Sequence, residues 1–96
     1  MATTLNFTKQ GDVYIAEQTV NAPYALHIER SEPSSFSIKQ RSTDSGEYAS
    51  CWNVPDRVSM SATVIDWSFD HTIYPMHVRF ESGSEVTSAT LTEAQS

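Results

Sequence analysis

The chain has 96 residues and a formal net charge of -6, which results from 12 acidic and 6 basic residues. This length allows one modest hydrophobic core, so we expect residues 1–96 to form a single domain. Because the Lys and Arg residues are few and scattered, the sequence lacks the basic surface on which nucleic-acid binding depends. Nucleic acid is therefore not an expected partner.

The composition favours β-strands over helices. Val and Ile together number 12 against 3 Leu, and Ser and Thr together number 24; branched and hydroxyl side chains of this kind suit a pleated, half-buried sheet. Cys51 is the only cysteine, which rules out an intrachain disulfide and a zinc site built from several thiolates. The sequence contains no export signal and no apolar run of membrane-spanning length, so we expect synthesis in the cytoplasm and no membrane partner.

The first 30 residues predict a three-stranded meander, with strands at about 4–9, 13–20 and 24–30. A turn at Gly11 and Asp12 pairs Lys9 with Tyr14, and residues 21–23 form the second turn. This register places eight apolar residues on one face, and we predict that they form the core: Leu5, Phe7, Tyr14, Ala16, Val20, Tyr24, Leu26 and Ile28.

The middle of the chain is less regular. Residues 36–41 predict a strand, the turn-forming residues 42–47 a polar loop, and residues 48–52 the partner strand of a hairpin. Between residues 58 and 64, apolar and hydroxyl side chains alternate, which predicts a half-buried strand that ends with Val64 on its apolar face. The alternation changes phase at Ile65, so we predict a bend or loop there.

The last two predicted strands form a hairpin, and the register of its two arms places their inward side chains on the same face. If Gly83 and Ser84 make a two-residue turn with Gly at a positive φ, three cross-strand pairs follow: Phe80 with Thr87, Val78 with Ala89, and Met76 with Leu91. Residues 93–96 are expected to be a loose tail. The predicted fold is therefore an all-β, antiparallel sandwich or partly closed barrel of seven to eight short strands.

His27 is the first candidate for acid–base chemistry. The meander register places it opposite Glu17, and Glu29 lies on the same face of the strand. Such a group could act as a general base or as part of a hydrolase site if the side chains converge in a pocket. A surface charge pair that stabilises the sheet is the simpler interpretation, and it is the one we adopt.

Asp66, Asp70 and His71 form a second polar group near the predicted bend. Oxygen-rich loops can bind calcium, but the spacing and the glycine of a calcium-binding loop are missing, which favours solvated loop charge. No serine lies in a nucleophile elbow, and the three glycines are each explained by a turn. We therefore predict no catalytic residue, no metal site and no cofactor, and a protein that is not an enzyme.

Four aromatic residues in and beside the irregular middle of the chain are the candidate contact residues: Trp52, Trp67, Phe69 and Tyr74. Aromatic side chains are the commonest hot spots of protein interfaces, and they also form the stacking platforms of glycan-binding modules. Each of them also suits a core position. An exposed platform beside polar groups would favour glycan, whereas an apolar patch next to a bare strand edge would favour protein assembly.

Several segments of the chain resemble a known family. They are residues 24–30 (YALHIER), 38–41 (IKQR), 45–51 (SGEYASC), 74–75 (YP) and 82–94 (SGSEVTSATLTEA). Together they resemble small proteins that are encoded beside head genes in crAss-like and related tailed phages of gut bacteria. The resemblance implies a virion-associated β domain, a capsid auxiliary or decoration protein that binds capsid or other virion proteins and forms a symmetric homo-oligomer. It implies no catalytic residue.

The expected function is accordingly that of a non-enzymatic structural component of a phage particle, located in the virion. The alternative is a small β-sandwich module that recognises glycan through exposed aromatic residues.

Overall fold

The computed structural model describes residues 2–50 and 61–94, and all regular structure in these ranges is β-strand. The strands are β1 (Ala2–Thr4), β2 (Thr8–Gln10), β3 (Val13–Val20), β4 (Tyr24–Arg30), β5 (Phe36–Arg41), β6 (Ala49–Ser50), β7 (Val64–Phe69), β8 (Met76–Ser82) and β9 (Val86–Glu93). Over the described residues there are nine strands rather than the seven to eight predicted. The predicted first strand, 4–9, is divided: β1 and β2 belong to different sheets, and Leu5 lies in the crossing between them.

The strands form two antiparallel sheets. The four-stranded sheet has the order β1-β9-β4-β7, and the five-stranded sheet has the order β2-β3-β8-β5-β6. The rings of Tyr24 in the first sheet and Phe80 in the second lie 6.3 Å apart, edge to face, so the two sheets pack on one shared core. The all-β prediction is confirmed in its sandwich form, since these sheets do not close into a barrel.

The first hairpin is as predicted. Lys9 pairs with Tyr14 across the turn, and Gly11 has a φ of 63°, in the left-handed region that glycine adopts without steric cost. The second predicted hairpin is also present, because β5 pairs with β6 through Gln40 and Ala49. Residue 48, which precedes β6, therefore lies near the end of β5.

Two other predicted pairings are wrong. β4 pairs with β7 and β9 instead of β3, and β8 pairs with β3 and β5 instead of β9. The chain crosses from one sheet to the other at residues 21–23 and again at 83–85. Alternation of apolar residues specifies which face of a strand is buried, but two strands joined by a short turn can meet either edge to edge or across the core.

Gly83 does not form the predicted two-residue hairpin turn. It does not have a positive φ; instead its N–H donates to the carbonyl of Ser35 at 2.9 Å, and a Cβ at this position would lie 3.0 Å from the Ser35 hydroxyl oxygen. The glycine therefore permits close approach between two loops rather than a hairpin turn.

The predicted bend at Ile65 is replaced by a strand. Ile65, Trp67 and Phe69 alternate inward along β7, whereas Val64 is 52% exposed on the outer face, contrary to the prediction. The inward side chains of β7 begin at Ile65, so they are one residue out of phase with the apolar positions that were predicted for residues 58–64. The part of the predicted strand 58–64 before residue 61 lies outside the described residues. At the other end of the chain, the predicted tail begins inside β9, which ends at Glu93, and Ala94 donates its N–H to the carbonyl of Pro23 at 2.7 Å.

The core combines the inward faces of both sheets. Six of the eight predicted residues from the first 30 are buried, while Phe7 and Tyr14 are partly exposed at the margin. The buried cluster is Leu5, Ala16, Val20, Tyr24, Leu26, Ile28, Phe36, Ile38, Ile65, Phe69, Met76, Val78, Phe80, Ala89 and Leu91. Thr87, predicted to face inward, is exposed.

One end of the sandwich is held by Arg30, which is 6% exposed. Its guanidinium donates to the carbonyl oxygens of Ser34 at 3.1 Å and Ser35 at 3.2 Å, and also to the carbonyl of Ala62. It lies 5.6 Å from the centre of the Phe36 ring. A single buried cation thus ties the backbone of residues 34–35 to that of residue 62.

Candidate functional site

The three predicted contact aromatics within the described ranges, Trp67, Phe69 and Tyr74, all pack at least partly against the core. Phe69 is 4% exposed and its ring lies 5.7 Å from that of Tyr24, so it belongs to the core. Trp67 and Tyr74 are partly buried and pack against the same core. Trp52 lies outside the described residues. Among the described residues, the large apolar side chains that are well exposed are Val64 and Ile73, which are not aromatic.

Tyr74 directs its polar end into its own loop. Its hydroxyl group donates to Asp70 Oδ1 at 2.8 Å and accepts the backbone N–H of His71 at 2.9 Å. Burial and the bond to Asp70 raise the pKa of Tyr74. The same Asp70 oxygen accepts the N–H of Thr72 at 2.8 Å, and these two bonds lower the pKa of Asp70. Tyr74 therefore organises the loop at residues 70–74 and offers little hydrogen-bonding capacity to a ligand.

His71 belongs to this loop and points its side chain into the core; it is 6% exposed, and both of its ring nitrogens are bonded. Its Nδ1 is 2.6 Å from Gln40 Oε1, which can only accept, so Nδ1 carries the proton and Nε2 accepts the Tyr24 hydroxyl at 2.8 Å. Burial lowers the pKa of His71, which favours the neutral ring. His71 is thus a satisfied core residue that joins the two sheets.

The polar group that was considered for calcium and interpreted as solvated loop charge, Asp66, Asp70 and His71, is not brought together in one place. Asp66 lies on the outer face of the four-stranded sheet, Asp70 is bonded to Thr72 and Tyr74, and His71 points into the core. In residues 2–50 and 61–94, no three His, Cys, Asp or Glu side chains are placed to hold a metal ion.

His27 has partners other than the one predicted. Its Nδ1 is 2.9 Å from Asp66 Oδ2 and its Nε2 is 2.8 Å from Glu29 Oε2, and both bonds raise the pKa of His27. Glu17, the predicted partner, is in the other sheet and bonds Arg79 at 3.3 Å. The group that a hydrolase would need is therefore divided between opposite faces of the sandwich, and His27 has the geometry of a surface charge cluster.

The outer face of the five-stranded sheet carries five charged side chains from three neighbouring strands, β3, β8 and β5. Outward side chains of β3, β8 and β5 lie in rows across the sheet, and we call this surface the charged face: Glu17, Thr19, Lys39, Arg41, His77, Arg79 and Glu81. Glu17, Arg79 and Lys39 form the central row. Three of the six basic residues of the chain are on this face.

Most of the charges on this face neutralise one another. Arg79 Nε donates to Glu81 at 2.8 Å and Arg79 Nη1 to Glu17 at 3.3 Å, while Lys39 Nζ lies 3.3 Å from Glu81. His77 bonds the Thr19 hydroxyl through Nδ1 at 2.9 Å. These half-exposed pairs contribute little to the free energy of unfolding, but they hold the side chains in a defined arrangement.

Arg41 is held differently. Its guanidinium lies 4.4 Å from the centre of the Tyr48 ring, and Nη1 donates to the carbonyl of Gly46 at 2.6 Å. Nη2 lies 3.4 Å from the carbonyl oxygen of Asp44. In the described part of the chain Arg41 forms no ion pair, and its Nε–H is buried without an acceptor. The loop thus fixes a cation beside an aromatic ring without neutralising its charge.

The Arg41–Tyr48 pair separates two shallow depressions. The larger has a volume of about 600 Å³ and is also lined by Lys39, Arg79 and Glu81. The smaller has a volume of about 310 Å³ and extends to Thr19 and His77. Arg41, Tyr48 and Glu17 line both, so the two depressions adjoin on the charged face, and we call them together the groove.

The Arg41–Tyr48 pair was not among the contact residues predicted from the sequence, although a signal was present. The predicted hairpin of residues 36–41 and 48–52 already placed Arg41 and Tyr48 at the two ends of the connecting loop, where cross-strand contact is expected. A cation and an aromatic ring at such positions could have been predicted to pair.

In the described ranges the structure has no helix with the length and apolar character needed to cross a bilayer. Comparison of the sequence with protein-family models, with curated proteins and with solved structures finds no match in any of the three.

Proposed function

We propose that the chain is a non-enzymatic structural component of a phage particle, a capsid auxiliary or decoration protein that binds other virion proteins. The resemblance of segments such as 24–30 and 82–94 to small head-associated phage proteins supports the location. The charged face supports binding to another protein as the mode of action, and the main observation behind this part of the proposal is the Arg41–Tyr48 pair.

The charged face has the chemistry of a polar protein interface. Arg and Tyr are enriched among the residues that dominate binding energy, and they act best where their geometry is fixed in advance. Here Arg41 is fixed by the Gly46 carbonyl and the Tyr48 ring, on a strand-built surface whose remaining charges are mutually paired. The side chains of this surface would therefore lose little conformational entropy when a partner binds.

The proposal of a non-enzymatic role is supported by the separation of the titratable groups. His27 and Glu17 lie on different sheets, and His71 is enclosed by Tyr24 and Gln40. His77 bonds a hydroxyl group, but within the described ranges no carboxylate bonds its other ring nitrogen, as the orienting group of a hydrolase would.

The glycan alternative has less support. A sugar-stacking platform needs an exposed ring face, but Phe69 is buried, Tyr74 is bonded within its own loop, and Arg41 covers one side of Tyr48. We therefore favour a protein partner.

The test is the composition of purified particles. Particles of the phage that encodes the chain are separated on a density gradient, and the chain is quantified by mass spectrometry relative to the major capsid protein. The proposal predicts a constant ratio across the particle peak, whereas a non-structural protein of the same lysate, used as a control, should vary. Absence of the chain from the peak would contradict the proposal.

The resemblance also implies a symmetric oligomer. Light scattering coupled to size exclusion, over a series of concentrations, measures the solution mass directly. We expect one closed oligomer whose mass does not change with concentration.

A further inference from the structure

The cation on Arg41 is the one feature of the charged face that the described structure leaves without a counter-charge. Lys39 and Arg79 each bond a carboxylate, whereas Arg41 bonds two backbone carbonyls, which are neutral. Glu47 lines the same depression but forms no ion pair with Arg41 in the described ranges. A localised positive charge in a chain of net charge -6 therefore points into an open groove.

The guanidinium retains donors for a ligand. Arginine has five N–H groups in a planar fork; the Gly46 and Asp44 carbonyls account for two of them and the Nε–H is buried, which leaves one N–H on each terminal nitrogen. A carboxylate is the acceptor that best matches this fork, and a charge-assisted bond to it is about twice as strong as a neutral one. The site therefore selects an anionic, planar group.

The groove limits the form of the ligand. It crosses the strands from β3 to β6, which is three strand spacings or about 14 Å, and an extended chain of about four residues has the same length. The glutamates at 17, 47 and 81 line the groove as well, so a uniformly anionic polymer such as nucleic acid would be repelled along most of its length. A segment with a single acidic side chain at its centre would not be repelled in this way.

We propose that the Arg41–Tyr48 pair binds an aspartate or glutamate side chain from an extended segment of a partner protein. This inference rests on the proposed function, since it assigns the chemistry of the partner to the surface through which the chain would bind virion proteins. Charge complementarity at Arg41 is what selects this occupant over a neutral or basic segment.

The experiment is an NMR titration of the full chain labelled with nitrogen-15. The probe is a blocked six-residue peptide of glycine and serine with a central aspartate, and the matched probe has asparagine in its place. We expect the aspartate peptide to shift the amide signals of residues 41–48 and 77–81, and the asparagine peptide to bind at least about tenfold more weakly.

Variants locate the contact. Arg41→Gln should weaken binding of the aspartate peptide by about tenfold or more, and Arg41→Lys should retain part of it because the charge remains while the fork is lost. Lys9→Gln is the matched control, because Lys9 also lies over a tyrosine ring, 6.0 Å from that of Tyr14, but lines a different depression. The spectrum of each free variant shows whether it is folded.

The outcomes separate the two proposals. Equal binding by Arg41→Gln, equal binding of both peptides, or shifts caused by sialyllactose and not by the aspartate peptide would overturn this inference. If the chain is present in particles at a constant ratio in any of these cases, the proposed function stands while the partner chemistry is wrong. If the aspartate peptide binds through Arg41 but particles lack the chain, the proposed function fails instead.

Discussion

Replacing Phe80 with alanine tests whether the two sheets share one core. Phe80 is fully buried in β8, and its ring lies 6.3 Å from those of both Tyr24 and Phe36. Loss of the side chain removes buried apolar area, leaves a cavity and breaks two aromatic contacts, at a cost of about 3–5 kcal/mol. A chain of this length has roughly 5–14 kcal/mol of unfolding free energy, so the variant should lose about a fifth or more of its stability.

The measurement is urea unfolding followed by circular dichroism. With an m-value of about 1.5 kcal/mol/M, a loss of about 4 kcal/mol lowers the unfolding midpoint by roughly 3 M. Ile73→Ala is the control, because Ile73 is 64% exposed and its truncation should change the unfolding free energy by less than about 0.5 kcal/mol. A Phe80→Ala protein within about 1 kcal/mol of the wild type would refute the packing of β8 against β4.

Three further predictions concern the buried and titratable groups. Arg30→Met should lower the unfolding free energy by about 3 kcal/mol or more in the same urea titration, because the carbonyls of Ser34 and Ala62 lose their donor; a loss below about 1 kcal/mol would contradict this. Burial lowers the pKa of His71 below its ordinary 6.5, so stability is full above pH 6.5 and decreases as pH falls toward the folded pKa, and His71→Gln should flatten this part of the pH profile. The carboxylates raise the pKa of His27, whose contribution is full below pH 6.5 and is lost as pH rises through the folded pKa. An NMR titration of the imidazole signals should therefore give a midpoint above 6.5 for His27 and below 6.5 for His71, and the reverse order would show that the environments are misassigned.

Local signals in the sequence were sufficient for much of the fold. The Gly11 turn fixed both the hairpin of β2 and β3 and its register, and alternation identified inward residues such as Leu26, Val78 and Leu91 correctly. These features depend on contacts between near neighbours in sequence, or on the period of a single strand.

The pairing of distant strands could not be derived in the same way. Val78 and Leu91 are both inward whether β8 and β9 form a hairpin or face each other across the core, so their pattern is the same in both cases. Which of the two arrangements forms depends on Gly83, which allows close packing against Ser35. It also depends on the pairing of β8 with β3, whose residues are more than 50 positions away in the sequence. The partners of His27 were missed for the same reason, since Asp66 reaches it only through the pairing of β4 with β7.

The position of β4 at the centre of the four-stranded sheet has a consequence for how the chain is made. Both of its neighbours come later in the sequence, β7 from residue 64 and β9 from residue 86. At a ribosomal rate of about 5–20 residues per second, roughly 3–11 s pass between the synthesis of Arg30 and that of Val86. Until β7 has been made, both hydrogen-bonding edges of β4 are open to other chains, and the edge that β9 covers stays open for the whole of that time. Aggregation should therefore threaten the nascent chain far more than the finished protein, and slower translation should lower the yield of soluble product.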